Sequence, residues 1–444
     1  MSKNIDIMSF LEDNVIPAAG CTEIVAIGIS TCAGFNALFG NLPNSPSKDG
    51  VPMLDADKLE HVGLTLDKRL YKNAYSVNIP STQGRNGIEL AAAIGLFLNI
   101  NKTKVLEIFT QIEPNMLSLA DKVLDKINVE LDEAKDSLFV RSTIKYDGHT
   151  VISTMEEAHD RITSIDIDGK EVFSNPIDKS GLTAGNEVGR LSINEMLDII
   201  GDLPDNVKVE LTKTVDLNMT LVVEGLCHFS SQGGIVHILK DLIRDGLLTD
   251  DVSTKIKLSV ASAVEARMGG VPLSAMSSSG SGNMGITATV PIIIVGQELE
   301  KSDDEVLRAI LLSHMVVSMA SDKIGKLSAL CGASNKSTFG AAAGISYLLG
   351  ADAEGIKNSI NMVASNLIGA TCDGAKTNCA LKAMSSASVA YDSALLGSRG
   401  LQLGSQGIVG STAKETLKNV SEISHKMDSI DDAIVSILRH RVKR

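Results

Sequence analysis

The residues best suited to chemistry in this sequence are cysteines. Cys21 stands in IPAAGCTEIVAIGIS (16–30), directly after a glycine and directly before a run that reads as an apolar helix. A thiol in the first turn of a helix lies against unpaired backbone N–H groups and the positive end of the dipole, which lowers its pKa and raises its thiolate fraction. That placement predicts a reactive thiol. The plainer use of the residue is a small buried side chain at a tight turn.

Cys331 in SALCGASNKSTFGAAAG, with Cys372 and Cys379 in GATCDGAKTNCALKAMSSAS, forms a second group. A loop or broken helix between Cys372 and Cys379 would fold two thiolates toward one point, and Cys331 would complete a cup. Three thiolates suit an iron–sulfur cluster with one iron left open, or a structural zinc once a fourth ligand joins. Zinc favours close C-x2-C pairs, which are absent here, so the cluster fits better. Three unrelated core cysteines are the other reading.

Between these groups lies RMGGVPLSAMSSSGSGNMGITATVP (267–291), whose Ser/Gly/Asn-rich stretch precedes an apolar segment. Such a loop offers backbone N–H groups and hydroxyls without side-chain bulk, a cradle for a carboxylate or phosphate. It lacks the G-K-[ST] of a P-loop and the βαβ context of a dinucleotide fingerprint. Arg85, Lys376 and Lys382 are candidate anion contacts, and His228 and His159 candidate acids or bases. No Ser/His/Asp arrangement and no HExxH element is present.

The elements that must carry these residues are mostly helices. The chain has 444 residues, 44% of them hydrophobic, with no Trp, five Tyr and nine Phe, which predicts a tight, mostly aliphatic core. Helical spacing covers 5–14 and 21–38, a short strand is expected over AYSVNIP (74–80), and helices resume from about 190. Residues 136–175 instead alternate β-branched side chains around YDGH and DIDGKE turns, the punctuation of hairpins. The predicted fold is α+β, a mainly helical body with a small antiparallel β insertion. Its parts are 1–130 (helical body), 131–180 (insertion) and 181–444 (helical body with the three clustered cysteines).

A net charge of −13 excludes nucleic acid and anionic membrane as partners, since both demand clustered Lys and Arg. The one basic cluster, RHRVKR at the end of the chain, reads as a solvated tail. The N-terminal stretch is acidic and polar, unlike a secretory signal, and the apolar run VPIIIV is too short to span a bilayer. A soluble cytoplasmic protein with unpaired cysteines is expected, and a homodimer on the frequency of closed two-fold pairs.

PAAGCTE, SGSGNMGITATVP and CDGAKTNCALK, in that order and with an isolated Cys331 upstream of the last, resemble the L-cysteine desulfidase family (UPF0597, serine dehydratase α-chain-like proteins) over nearly the whole chain. The resemblance implies a lyase that works without pyridoxal phosphate. It would hold a [4Fe-4S] cluster through Cys331, Cys372 and Cys379, with Cys21 as the base and Ser279, Gly280, Ser281, Gly282 and Asn283 receiving the carboxylate of a small amino-acid substrate. The implied products from L-cysteine are pyruvate, ammonia and hydrogen sulfide. L-serine or another β-substituted amino acid as substrate, or a non-catalytic ligand-binding relative, are the alternatives. Relatives commonly read GCTEP where Ile24 follows Glu23 here, and often carry Ser-His-Thr where this chain has AHDRI, so Ile24 and Asp160 are departures bearing on substrate choice.

Overall fold

The computed structural model describes residues 5–46, 53–135, 137–176, 187–229 and 233–442. Lys443 and Arg444 of the expected basic tail, part of the 40–50 loop and the last residues of the 131–180 stretch lie outside them. The architecture is α+β, as expected, with helices dominating and a sheet beside them.

The hairpins form where their turn chemistry predicts. Strands β4 (Phe139–Tyr146) and β5 (His149–Glu156) join at Asp147-Gly148, and β6 (Ile162–Ile167) and β7 (Lys170–Ser174) at Asp168-Gly169. All four turn residues have positive φ, the conformation of a tight primed turn. The sheet is larger than the expected insertion, however. It recruits β2 (Leu59–Leu66) and β3 (Ile127–Leu131) in the order β3-β2-β4-β5-β6-β7, with β2 and β3 parallel. The alternation in LEHVGLTL matches a half-buried strand.

The strand expected over 74–80 does not form. A helix, Lys68–Ala74, ends at its start, and the following residues contribute only an isolated bridge between Asn78 and Asn86. Pro80 has no N–H to extend a ladder. Asp67 caps this helix through Arg69 and Leu70 N–H, while its other oxygen accepts from Phe139 N–H of β4 at 2.8 Å. One carboxylate thereby fixes the helix against the sheet.

The Thr22–Ala37 helix is buried over all sixteen residues, packed between the sheet and the Ile88–Gly95 helix. Its apolar character all round follows from that position. In the helical body, Lys336–Leu348 is central, surrounded by Gly282–Glu298, Asp303–Ile324, Ala353–Leu367 and Cys379–Ser398. A short antiparallel pair, β1 (Pro17–Ala19) with β8 (Ser274–Met276), joins the N-terminal segment to the helical body. Among the described residues no helix is long and apolar enough to cross a membrane.

Candidate active site

Pairing of β1 with β8 lays the Cys21 turn beside the Gly-rich loop. Ser277 and Ser279 N–H donate to the Ile16 and Asn14 carbonyls at 2.9 and 2.8 Å. Ser279 has φ +47° and Gly280 φ +81°, so the loop curls back on itself before the Gly282–Glu298 helix begins. Ser279, Gly280, Ser281 and Asn283 line a pocket that Cys21 also lines. Gly282 does not face it but backs onto Arg267, where an added Cβ would lie 2.5 Å from the guanidinium carbon.

Cys331 and Cys372 meet through a second antiparallel bridge, Leu330 with Thr371. Cys331 N–H donates to the Ala370 carbonyl and Cys372 N–H to the Ala329 carbonyl, at 2.9 and 2.8 Å. The Asn335 amide staples both segments by donating to the carbonyls of Cys331 and Ala370. Gly374, at φ +97°, turns the chain so close to the Lys72 carbonyl that a Cβ would lie 2.5 Å from its oxygen, and Cys379 then opens the following helix. All three thiols line the same pocket as Cys21.

The Lys68–Ala74 helix bridges the two sides. Asn73 donates to Glu23 Oε1 at 2.8 Å and accepts from the Cys372 thiol at 3.3 Å. Glu23 Oε2 in turn accepts the Cys21 S–H at 2.9 Å. Lys72 is buried against Asp431 at 2.5 Å, and Asp431 also holds Arg69 at 2.9 Å. A chain of polar contacts thus runs from Cys21 through Glu23 and Asn73 to Cys372.

The expected low pKa at Cys21 is overturned. The thiol does occupy the N-cap position, but burial, and then the adjacent Glu23 carboxylate, push it well above the ordinary value. The helix start forms without the usual proline, with Ile24 buried in the core. Glu23 stays below the usual carboxylate range: burial pushes it up, but His159, the Cys21 thiol and Asn73 together outweigh that. A hydrogen bond from the Cys331 thiol lowers Cys372, against burial and with help from the Lys72 ammonium, and the same bond raises Cys331. Burial holds Lys336 down at about 8.

Other sequence candidates fall elsewhere. Arg85 pairs with Asp121 at the surface, and Lys376 and Lys382 both pair with Asp373, at 2.7 and 2.5 Å, which occupies their charge. His228 is exposed beside Glu224. His159, by contrast, lies buried in the pocket, with Nε2 unpartnered and 4.0 Å from Glu23. Cys32 is buried against the Leu98 carbonyl and Cys227 is exposed, both away from the site. Arg267, Asn73, Lys72 and Lys336 are residues that sequence reasoning missed. Arg267 did carry a signal, a lone cation in a small-residue helical run.

The pocket is small, about 90 Å³. A larger cavity, about 380 Å³, lies beside Lys68, Asp432 and Arg439, but its charges are already paired, Lys68 with Asp432 and Arg439 with Glu133. The smaller one holds the unpartnered buried atoms His159 Nε2, Arg267 Nε and Ser279 Oγ, which points to it as the chemical site. Among the described residues no three His, Cys, Asp or Glu side chains stand at single-metal spacing. The thiols of Cys331, Cys372 and Cys379 nevertheless share one pocket wall.

Behind the loop, His314 is buried with Nδ1 3.0 Å from Ser278 Oγ, and burial holds its pKa at about 3. Because that folded-state value lies below the ordinary 6.5, the unfolded chain takes the proton first as pH falls. Stability present above pH 6.5 is therefore lost on acidification toward pH 3. From pH 6.5 to 5 the expected loss from this group is about 2 kcal/mol, checked by urea unfolding of wild type against His314→Asn, whose slope with pH should be shallower.

The profile of the serine dehydratase alpha chain family matches residues 104–436. The chain is 33% identical to a UPF0597 protein of Desulfotalea psychrophila, over 99% of each chain. It is 30% identical to one of Clostridioides difficile (96% of this chain, 97% of the relative) and 30% identical to one of Thermosipho africanus (96% and 98%). With the profile covering the three-cysteine segment and the full-length relatives covering the Cys21 turn as well, the chain belongs to the UPF0597 family of serine dehydratase alpha chain-like proteins.

Proposed function

We propose that this protein is an iron–sulfur-dependent lyase that converts L-cysteine and water to pyruvate, ammonia and hydrogen sulfide without pyridoxal phosphate. The observation that carries the reading is the convergence of four thiols from distant segments on one small pocket. The donor set fits a cluster: Cys331, Cys372 and Cys379 are free thiols, Cys372 is biased toward thiolate, and the buried cations Lys72 and Lys336 offset negative charge. When bound, such a cluster supplies a Lewis-acidic iron that eases departure of the substrate's β-substituent.

The chain's own residues supply the proton chemistry. Cys21 takes the substrate Cα proton at sulfur as its own S–H proton passes along the existing hydrogen bond to Glu23 Oε2, so that no free thiolate is formed and the proton ends on the carboxylate. The Cα–H pair forms the new double bond as the Cβ–S pair leaves with sulfur. Aminoacrylate results and hydrolyses to pyruvate and ammonia. Ser279 and its loop orient the carboxylate.

The match to serine dehydratase alpha chains favours L-serine as a second substrate. The deciding assay is pyruvate and sulfide release after anaerobic reconstitution with iron and sulfide, with L-cysteine beside L-serine. Pyruvate with sulfide from cysteine is expected. Pyruvate from serine alone would make the protein a dehydratase, and no product from a loaded cluster would overturn the lyase reading.

A further inference from the structure

Arg267 projects from the last turn of the Val252–Met268 helix into the pocket and is 2% exposed. Its Nη1 donates to Asn283 Oδ1 at 2.8 Å and its Nη2 to the Gly20 carbonyl, both neutral acceptors. Nε is buried without a partner, and among the described residues no carboxylate is paired with this guanidinium. Glu23 is already engaged by Cys21, Thr22 and Asn73. Glu23 acts on the guanidinium through space without a hydrogen bond to it, and a buried cation whose direct acceptors are all neutral is costly unless an anion joins it.

The other cations at the pocket do not answer that need. Lys336 is tied by Nζ to the carbonyls of Gly325 and Lys326, Lys326 itself is exposed, and burial favours the neutral form of His159. Lys336 keeps one further N–H, but as a point charge, whereas Arg267 alone presents a buried, permanently charged planar fork matched to a carboxylate, with Nε lacking a partner. Ser279 Oγ, unpartnered in the same lining, adds a neutral donor. Gly282 leaves room for the guanidinium.

We infer that Arg267 is the carboxylate receptor of this pocket, so that its ligands are compact free acids and the amides of the same amino acids are rejected. The choice of an amino acid as ligand rests on the lyase reading; the role of Arg267 does not. Arg267 also ties the Cys21 turn to the Gly-rich loop, which places the bound carboxylate between them.

The test uses L-alanine, which has no leaving group, and L-alaninamide, which has no carboxylate, titrated calorimetrically into the full-length protein, cluster-free and reconstituted. Alanine is expected to bind, and alaninamide at least about tenfold more weakly. Arg267→Lys is expected to weaken alanine about 10- to 100-fold, as for loss of a hydrogen bond to a charged group, and Gly282→Ala to weaken it similarly by displacing the guanidinium. In wild-type protein labelled with ¹⁵N-arginine, one guanidinium Nε–H resonance is expected to move with alanine and not with alaninamide, a readout that does not depend on the variants folding. Equal binding of the two probes, no moving arginine resonance, or alanine binding within twofold of wild type in a folded Arg267→Lys protein would overturn the assignment. If Arg267 binds alanine but the loaded protein releases neither pyruvate nor sulfide, the receptor stands and the lyase reading falls. If product forms while Arg267→Lys binds alanine normally, the reverse holds.

Discussion

Cys21→Ala is expected to lower kcat about 10³-fold or more while the reconstituted protein keeps its full iron content and visible absorbance. On the proposed mechanism the thiol takes the Cα proton, and loss of a positioned general base costs about 10²- to 10⁴-fold. Its activation here differs from that of an exposed thiol at a helix start. Burial and the Glu23 charge both oppose a free thiolate, and the Glu23 carboxylate, 2.9 Å from the sulfur, accepts the S–H proton as the thiol takes the Cα proton. Glu23→Gln, which keeps the shape and removes the basic oxygen, is accordingly expected to lower kcat about 10²-fold with KM little changed. Steady-state pyruvate formation, normalised to iron, measures both. Full activity in Cys21→Ala would exclude the thiol as base, and unchanged kcat in Glu23→Gln would exclude the relay.

Cys372→Ala is expected to abolish both iron retention and turnover. On the proposed ligation the substitution leaves two thiols for the cluster, and Cys372 is the one that a neighbouring thiol and the Lys72 ammonium bias toward thiolate. The same substitution removes the contact to Asn73, so the link to Glu23 loosens as well. The fold itself does not depend on this side chain, which is only partly buried. Cluster-free Cys372→Ala is therefore expected to melt within about 1 °C of cluster-free wild type, a difference of about 1 kcal/mol. Iron analysis after anaerobic reconstitution, with thermal unfolding of the cluster-free proteins, checks both parts. Iron content equal to wild type would remove Cys372 from the ligand set.

Local signals account for what was legible along the chain. The Asp-Gly turns at 147–148 and 168–169 need positive φ at both residues, and short side chains that tolerate it announce themselves within two positions. The Thr22–Ala37 helix was likewise readable from its apolar run. Strand β2 was less visible, because a single half-buried strand is stabilised by partners on both sides rather than by its own eight residues. AYSVNIP misled for the converse reason, since alternation without a neighbouring edge produces no ladder.

The sequence by itself determined the inventory of the site: four cysteines, a Ser/Gly/Asn loop and the helices that bear them, since residue type and near-neighbour spacing encode those. Only the tertiary structure decided how they are used. It set Asn73 between Glu23 and Cys372, buried Lys72 against Asp431, and left Arg267 Nε without a hydrogen-bond partner in the pocket wall. It also reversed the pKa shift at Cys21, because the dipole of one helix is a local property whereas desolvation and the Glu23 field depend on everything packed around the thiol. Contacts such as Lys72 with Asp431, 359 residues apart, leave no pattern in either segment, and their energies exist only once the core has closed around them.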